Sequence, residues 1–137
     1  MDMGDFVVRP IGVIRSALKD PADAPKQGAL TDQEAEVVVD PAYLPALDGV
    51  EKRGKIIVIC WMHVADRDRL KVHPRDRGDR PERGVFSTRS PHRPNPLSLH
   101  TVTLLGIEGN VLRVRGMDAI DGTPVVDIKS HSPELDG

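Results

Sequence analysis

The chain has 137 residues, a formal net charge of −2 at pH 7, 39% hydrophobic residues, 12 glycines, 12 prolines and one cysteine. That size fits one domain with a modest core. The longest apolar run, Ile56 to Met62, falls far short of the about 20 residues of a membrane span, the acidic start Met1-Asp2-Met3-Gly4-Asp5 has no signal-peptide apolar stretch, and the lone Cys60 excludes an internal disulfide framework, so the expected location is cytoplasmic.

The prolines are spread along the chain and break helices and interior strands, so short β-strands between turns are expected rather than long helices. Ile11 to Arg15 reads as a first strand and Ser16 to Leu30 as a loop punctuated by Pro21, Pro25 and Gly28. Ala35 to Val39 is a second strand, and Pro41 to Val50 a turn or one helical turn. Lys55 to His63 holds the consecutive Ile56, Ile57, Val58 and Ile59, which predicts a strand buried on both faces. Val64 to Glu82 is a long polar loop, Gly84 to Thr88 a short strand, and the residues to Pro96 a proline-rich loop. Leu97 to Gly106 and Val111 to Gly116 form a hairpin about Ile107-Glu108-Gly109-Asn110, where Gly and Asn accept positive φ. Val125 to Lys129 is a last strand, on which alternation puts Asp127 and Lys129 on the face of Val125. The expected fold class is mainly β: a small closed antiparallel barrel of about seven short strands with long loops.

Charge is unevenly placed. Between Asp66 and Arg93 nine basic and five acidic residues give +4, leaving −6 on the rest. Such a segment either meets a polyanion or is a solvated loop whose charges largely neutralise each other.

Two segments carry the chemistry. In Gly84-Val85-Phe86-Ser87-Thr88-Arg89-Ser90-Pro91-His92-Arg93-Pro94-Asn95-Pro96, three prolines restrict a loop that also holds two arginines, a histidine, an asparagine and three hydroxyls. Stiffness lowers the entropy lost on ordering around a ligand, and dense donors suit a polar small molecule. In Met117-Asp118-Ala119-Ile120-Asp121-Gly122-Thr123-Pro124-Val125-Val126-Asp127-Ile128-Lys129, Asp121 to Pro124 reads as a turn, and three aspartates within ten residues are able to hold a cation or a sulfonium, or to cap turns. The five histidines show no metal-site spacing such as His-Glu-x-x-His, so no metal is expected. Cys60, between Ile59 and Trp61, reads as core.

These two segments, with Pro10-Ile11-Gly12-Val13-Ile14-Arg15-Ser16 and Ala24-Pro25-Lys26-Gln27-Gly28, closely resemble the TsaA-like family, also called TrmO or YaeB-like, from Arg9 to His131. The resemblance implies a small β-barrel that binds S-adenosyl-L-methionine, forms a homodimer with the cofactor near the subunit interface, and N6-methylates threonylcarbamoyladenosine beside the tRNA anticodon. Carried over by motif, cofactor contacts fall on Pro25, Lys26, Gln27, His63, Arg89, Leu99, Asp121, Gly122 and Thr123. The family commonly has Arg at Lys26, and Pro-Ile-Gly-Leu where this chain reads Pro96-Leu97-Ser98-Leu99. Bacterial members usually carry a further C-terminal domain; residues 1–137 are expected to be one N-terminal-type domain without it.

An acceptor nitrogen beside a carbamoyl group is a poor nucleophile, so removal of its proton needs help, worth about 10²–10⁴-fold. The candidate bases are Asp118, Asp121 and Asp127, ahead of His92 and His63; His92, Arg93 and Lys129 are expected to touch substrate, and the run from Arg67 to Arg83 to follow the tRNA backbone. The competing readings are a non-enzymatic cofactor-binding module and a small-molecule methyltransferase.

Overall fold

A computed structural model describes residues 1–19, 33–73 and 81–136. Six strands close an antiparallel barrel: β1 (Gly12–Arg15), β2 (Glu34–Val39), β3 (Lys55–Trp61), β6 (Leu97–Glu108), β7 (Val111–Arg115) and β8 (Pro124–Ser130). Two short strands, β4 (Lys71–Val72) and β5 (Arg83–Gly84), pair as a separate ribbon. Around the barrel the order is β1-β2-β7-β6-β3-β8, with β8 returning to β1.

The barrel follows from strict alternation. Ile14, Val37, Val39, Ile56, Val58, Cys60, Val102, Leu112, Val114 and Val125 point inward and are buried. On β3 the expectation of burial on both faces is corrected. Ile56, Val58 and Cys60 are buried, while Ile57, Ile59 and Trp61 face outward and stay half-exposed. A closed barrel has a single interior, and among the described residues no helix covers the outer face of β3 as helices cover a parallel sheet. Burial pushes the Cys60 thiol up to about 12, with the Asp118 charge adding to the effect, so it sits in the core as a neutral group.

Of the strand expected over Gly84 to Thr88, only Gly84 is in a strand, as the end of β5. Val85–Ser87 is a 3-10 turn because its hydroxyls bond back to the backbone: Ser87 Oγ to the Gly84 carbonyl at 2.8 Å and Thr88 Oγ1 to the Val85 carbonyl at 2.9 Å. The expected turn after β2 is a 3-10 helix, Pro41–Leu47, with Pro41 at its start and Asp40 accepting from the Ala42 N–H at 3.0 Å. Gly109 has φ 61° in the hairpin turn. Next to it, Asn110 ties that turn to β2 through its Nδ2 to the Val39 carbonyl at 2.7 Å.

Closure depends on Gly12, which pairs with Val39 on one side and Val125 on the other. A Cβ there would strike the carbonyl oxygen of Val38. Gly12→Ala is therefore expected to destabilise the barrel by about 1–3 kcal/mol through overpacking. A urea midpoint equal to wild type would contradict this.

Candidate functional site

Antiparallel pairing decides where the loops go. The C-terminal ends of β1, β3 and β7 and the N-terminal ends of β2, β6 and β8 lie at one end of the barrel. The connections β1–β2, β3–β6 and β7–β8 therefore all emerge there, and they contain every residue singled out above except Leu99, Asp127 and Lys129. The two chemical segments lead into β6 and β8, the two neighbours of β3. At about 4.8 Å per strand spacing, their roots stand roughly 10 Å apart.

The β7–β8 loop is fastened across the barrel mouth. Met117 and Ala119 are buried, and the Ala119 carbonyl accepts from Ser16 Oγ at 3.0 Å. Asp121 accepts from the Ser16 N–H at 3.0 Å and pairs with Lys19 at 2.9 Å, and its own N–H donates to the Leu18 carbonyl at 2.6 Å. The bond to Lys19 first, then the Ser16 N–H, holds the Asp121 carboxyl below the usual carboxylate range. Gly122 has φ 86° with open space where a Cβ would stand. Thr123 is 1% exposed and closes the turn through Oγ1 to the Ile120 carbonyl at 2.7 Å. Beside this turn lies an open groove of about 550 Å³ lined by Arg15, Ser16, Lys19, Glu34, Glu36, Arg113 and Asp121 among others.

The proline loop is organised by its own arginine. Arg93 donates Nε to the Ser90 carbonyl at 2.9 Å, and its Nη2 donates to the Val85 and Thr88 carbonyls at 2.6 and 2.7 Å. Its guanidinium is thus engaged in shaping the loop. His92 Nδ1 accepts from the Asp66 N–H at 2.9 Å, which makes Nε2 the protonated nitrogen of the neutral ring. Arg67 donates Nε to the Pro94 carbonyl at 2.7 Å and lies 5.0 Å from the Trp61 ring centroid. Arg89, by contrast, is exposed and makes no hydrogen bond or ion pair among the described residues, and neither does the exposed His63.

Sequence reasoning missed Ser98 and His100. Both point inward from β6, opposite Cys60 and Val58. His100 Nδ1 lies 2.7 Å from Asp118 Oδ1, and His100 Nε2 lies 2.8 Å from Ser98 Oγ. That hydroxyl is also 3.2 Å from Met62 Sδ. The bond from His100, ahead of the opposing effect of burial, holds the Asp118 carboxyl below its usual range. The only sequence signal was Ser98 standing where the family commonly has glycine.

Asp127 and Lys129 are not on the face of Val125. A bulge between Ile59 and Cys60 of β3 sets Asp127 opposite Ile59 and Val125 opposite Cys60, leaving Val126 as the extra residue. Ile128 then points inward, and Asp127 and Lys129 are exposed on the outside. Asp127 Oδ1 accepts from the next backbone N–H, that of Ile128, at 2.9 Å. Leu99 is 69% exposed on the outer face of β6. Pro25, Lys26 and Gln27 lie outside the described residues. Among the described residues no group of three or more His, Cys, Asp or Glu is placed to hold a metal ion, and no helix is long and apolar enough to cross a membrane.

A barrel with its conspicuous side chains gathered at one mouth can be set beside known proteins. Residues 13–137 match the family described as the tRNA-methyltransferase O N-terminal domain, and the chain belongs to that family. A Methanothermobacter thermautotrophicus protein named "Probable S-adenosyl-L-methionine-binding protein" is 50% identical over 129 residues, 94% of this chain and 92% of its own. An Archaeoglobus fulgidus "S-adenosyl-L-methionine-binding protein" is 48% identical over 131 residues, 96% of this chain and 93% of its own. A crystal structure of TrmO from Pseudomonas aeruginosa superposes with a TM-score of 0.80 at 32% identity over 99% of this chain. The chain spans 59% of that TrmO chain.

The two arginines of the proline loop should separate in behaviour. Arg93→Ala leaves the Ser90 and Thr88 carbonyls without their side-chain donor, while the Val85 carbonyl keeps Thr88, and is expected to cost about 1–3 kcal/mol, whereas Arg89→Ala should stay within about 0.5 kcal/mol of wild type. Denaturant unfolding of both variants checks this, and equal stabilities would refute it.

Proposed function

We propose that the chain is an S-adenosyl-L-methionine-dependent methyltransferase acting on tRNA, with N6 of threonylcarbamoyladenosine beside the anticodon as acceptor. The observation that carries the reading is the arrangement of the β1–β2, β3–β6 and β7–β8 connections at one barrel mouth, each bearing motif residues. When bound, the cofactor supplies an electrophilic methyl group on a sulfonium. The residues present suit such a molecule. Arg89 offers a guanidinium with no partner among the described residues to a carboxylate, and Glu34, Glu36 and Asp121 line, together with Arg15, Lys19 and Arg113, a groove of mixed charge suited to a molecule that carries both signs. Pro25, Lys26, Gln27, His63, Leu99, Gly122 and Thr123 complete the proposed contacts.

His92 is proposed to face the nucleotide and Arg93 to hold the loop that presents it; Lys129, on the outside of β8, is the outlying member of the proposed substrate set. Arg67, Arg69, Lys71 and Arg83 give the mouth a basic flank suited to a phosphate backbone. A homodimer fits the same reading. Leu97 and Leu99, 38% and 69% exposed, adjoin the half-exposed Ile57, Ile59 and Trp61 on one outer face, which a second copy would cover. The location proposed is the cytoplasm. The names of the archaeal relatives favour a second reading, a binding module that holds the cofactor without turnover.

The test has two arms. Native mass spectrometry of the purified chain should find S-adenosyl-L-methionine or its demethylated product, and labelled methyl should pass to tRNA that carries the threonylcarbamoyl group. Arg89→Ala should weaken cofactor binding by about 10- to 100-fold, as expected for loss of a charge-assisted bond. Cofactor binding with no methyl accepted by any RNA would leave the binding module as the reading; no cofactor binding would remove both.

A further inference from the structure

Ser98, His100 and Asp118 form a continuous hydroxyl–imidazole–carboxylate line inside the barrel mouth, with separations of 2.8 and 2.7 Å. The His100 side chain, 10% exposed, is the shielded middle member; Asp118, 39% exposed, and the half-buried Ser98 are its ends. We propose that His100, oriented by Asp118, is the proton acceptor of this site and reaches the methyl acceptor through the Ser98 hydroxyl. The proposal rests on the methyl-transfer reading and supplies the base that reading lacks.

The geometry narrows the candidates. Asp127 is outside the barrel, and the Asp121 carboxylate is engaged by Ser16 and Lys19. Asp118 is the remaining aspartate, and its carboxylate is turned onto an imidazole. An ionised Asp118 accepts, so the neutral ring carries its proton on Nδ1 and offers the Nε2 lone pair to Ser98. In that state the Ser98 hydroxyl donates to Nε2. When the ring becomes an imidazolium, Nε2 donates instead, and the hydroxyl is free to turn toward Met62 Sδ. Both states are fully hydrogen-bonded, which is what a relay needs.

The proton balance is simple. The acceptor N–H gives its proton to Ser98 Oγ while the Ser98 hydroxyl proton passes to Nε2, and the N–H electron pair stays on nitrogen. The resulting imidazolium faces one carboxylate. The titratable group that faces this line from β3 is Cys60, opposite Ser98; it remains a neutral thiol, and the residue facing His100 is Val58. On β3, therefore, no charged residue faces the imidazolium. In this scheme Ser98 touches the acceptor and Asp118 is a positioning residue.

The test reads a pH profile and a tautomer. Wild type should lose methyl-transfer rate toward acid along a single limb. His100→Gln should abolish that limb and lower the rate about 10²–10⁴-fold with cofactor affinity retained. Asp118→Asn should move the limb further toward acid, since a cation without its anion deprotonates more readily. Ser98→Ala should lower the rate, and Ser98→Thr should restore part of it. A His100→Gln enzyme that is folded, binds cofactor and keeps the wild-type profile would overturn the proposal. Long-range ¹⁵N spectra of wild type decide the wiring without any turnover: a neutral His100 protonated on Nδ1 is expected, and one protonated on Nε2 would overturn the relay. A wild type that binds cofactor yet methylates nothing would instead remove the methyl-transfer reading.

Discussion

Barrel closure at β1 is the constraint on which the rest depends. This strand has only four residues, yet it joins β2 to β8 and so completes the ring. Gly12 lets the backbones meet there without a side chain between them, and Ile14 fills the interior two residues later. Once the ring is closed with an even number of antiparallel strands, alternate connections must share an end. The three connections that carry the motif residues are then neighbours by topology alone, although they are far apart in sequence.

The same strand also anchors the site. As the chain leaves β1, Ser16 and Leu18 bond to Ala119 and Asp121, and the Ile14 carbonyl accepts from the Gly122 N–H. The β7–β8 loop is thereby held across the mouth, with Met117 and Ala119 as its apolar plug. Asp118 sits between those two buried residues and projects to His100. A loop that at first reads as a turn with spare carboxylates therefore has an Asp121 side that fastens it and an Asp118 side that meets the imidazole. On the far side of β3, Arg93 and Arg67 fix the proline loop from within, which leaves Arg89 available to a ligand.

Much of the fold was legible because barrel strands alternate. Val37 and Val39, Ile56 and Val58, and Leu112 and Val114 each report an inward face at period two. On β3 the run of Ile and Val hid a regular alternation, and in two other places a local event had broken the period. The bulge at Val126 moved Asp127 and Lys129 outward, and nothing in Val-Val-Asp-Ile-Lys announces an extra residue. Ser87 and Thr88 turned an apparent strand into a 3-10 turn by bonding their own backbone. The proline loop and the Asp-Gly-Thr-Pro turn were readable as chemistry, but the use of each residue was not. Arg89 and Arg93 look equivalent in sequence, and only geometry separates the free guanidinium from the engaged one. Ser98 and His100 were invisible as partners of Asp118 because their pairing is long-range and passes through the barrel interior.

The central claim is that one barrel mouth is the working face. Titrating the ¹⁵N-labelled chain with S-adenosyl-L-methionine tests it most directly. The account predicts shifted amides at Ser16, Asp66, Arg89, Ser98, Asp118 and Gly122, with Ala42 and Asn110 at the opposite end unmoved. Saturable binding that shifts Ala42 and Asn110 while the mouth stays silent would contradict it.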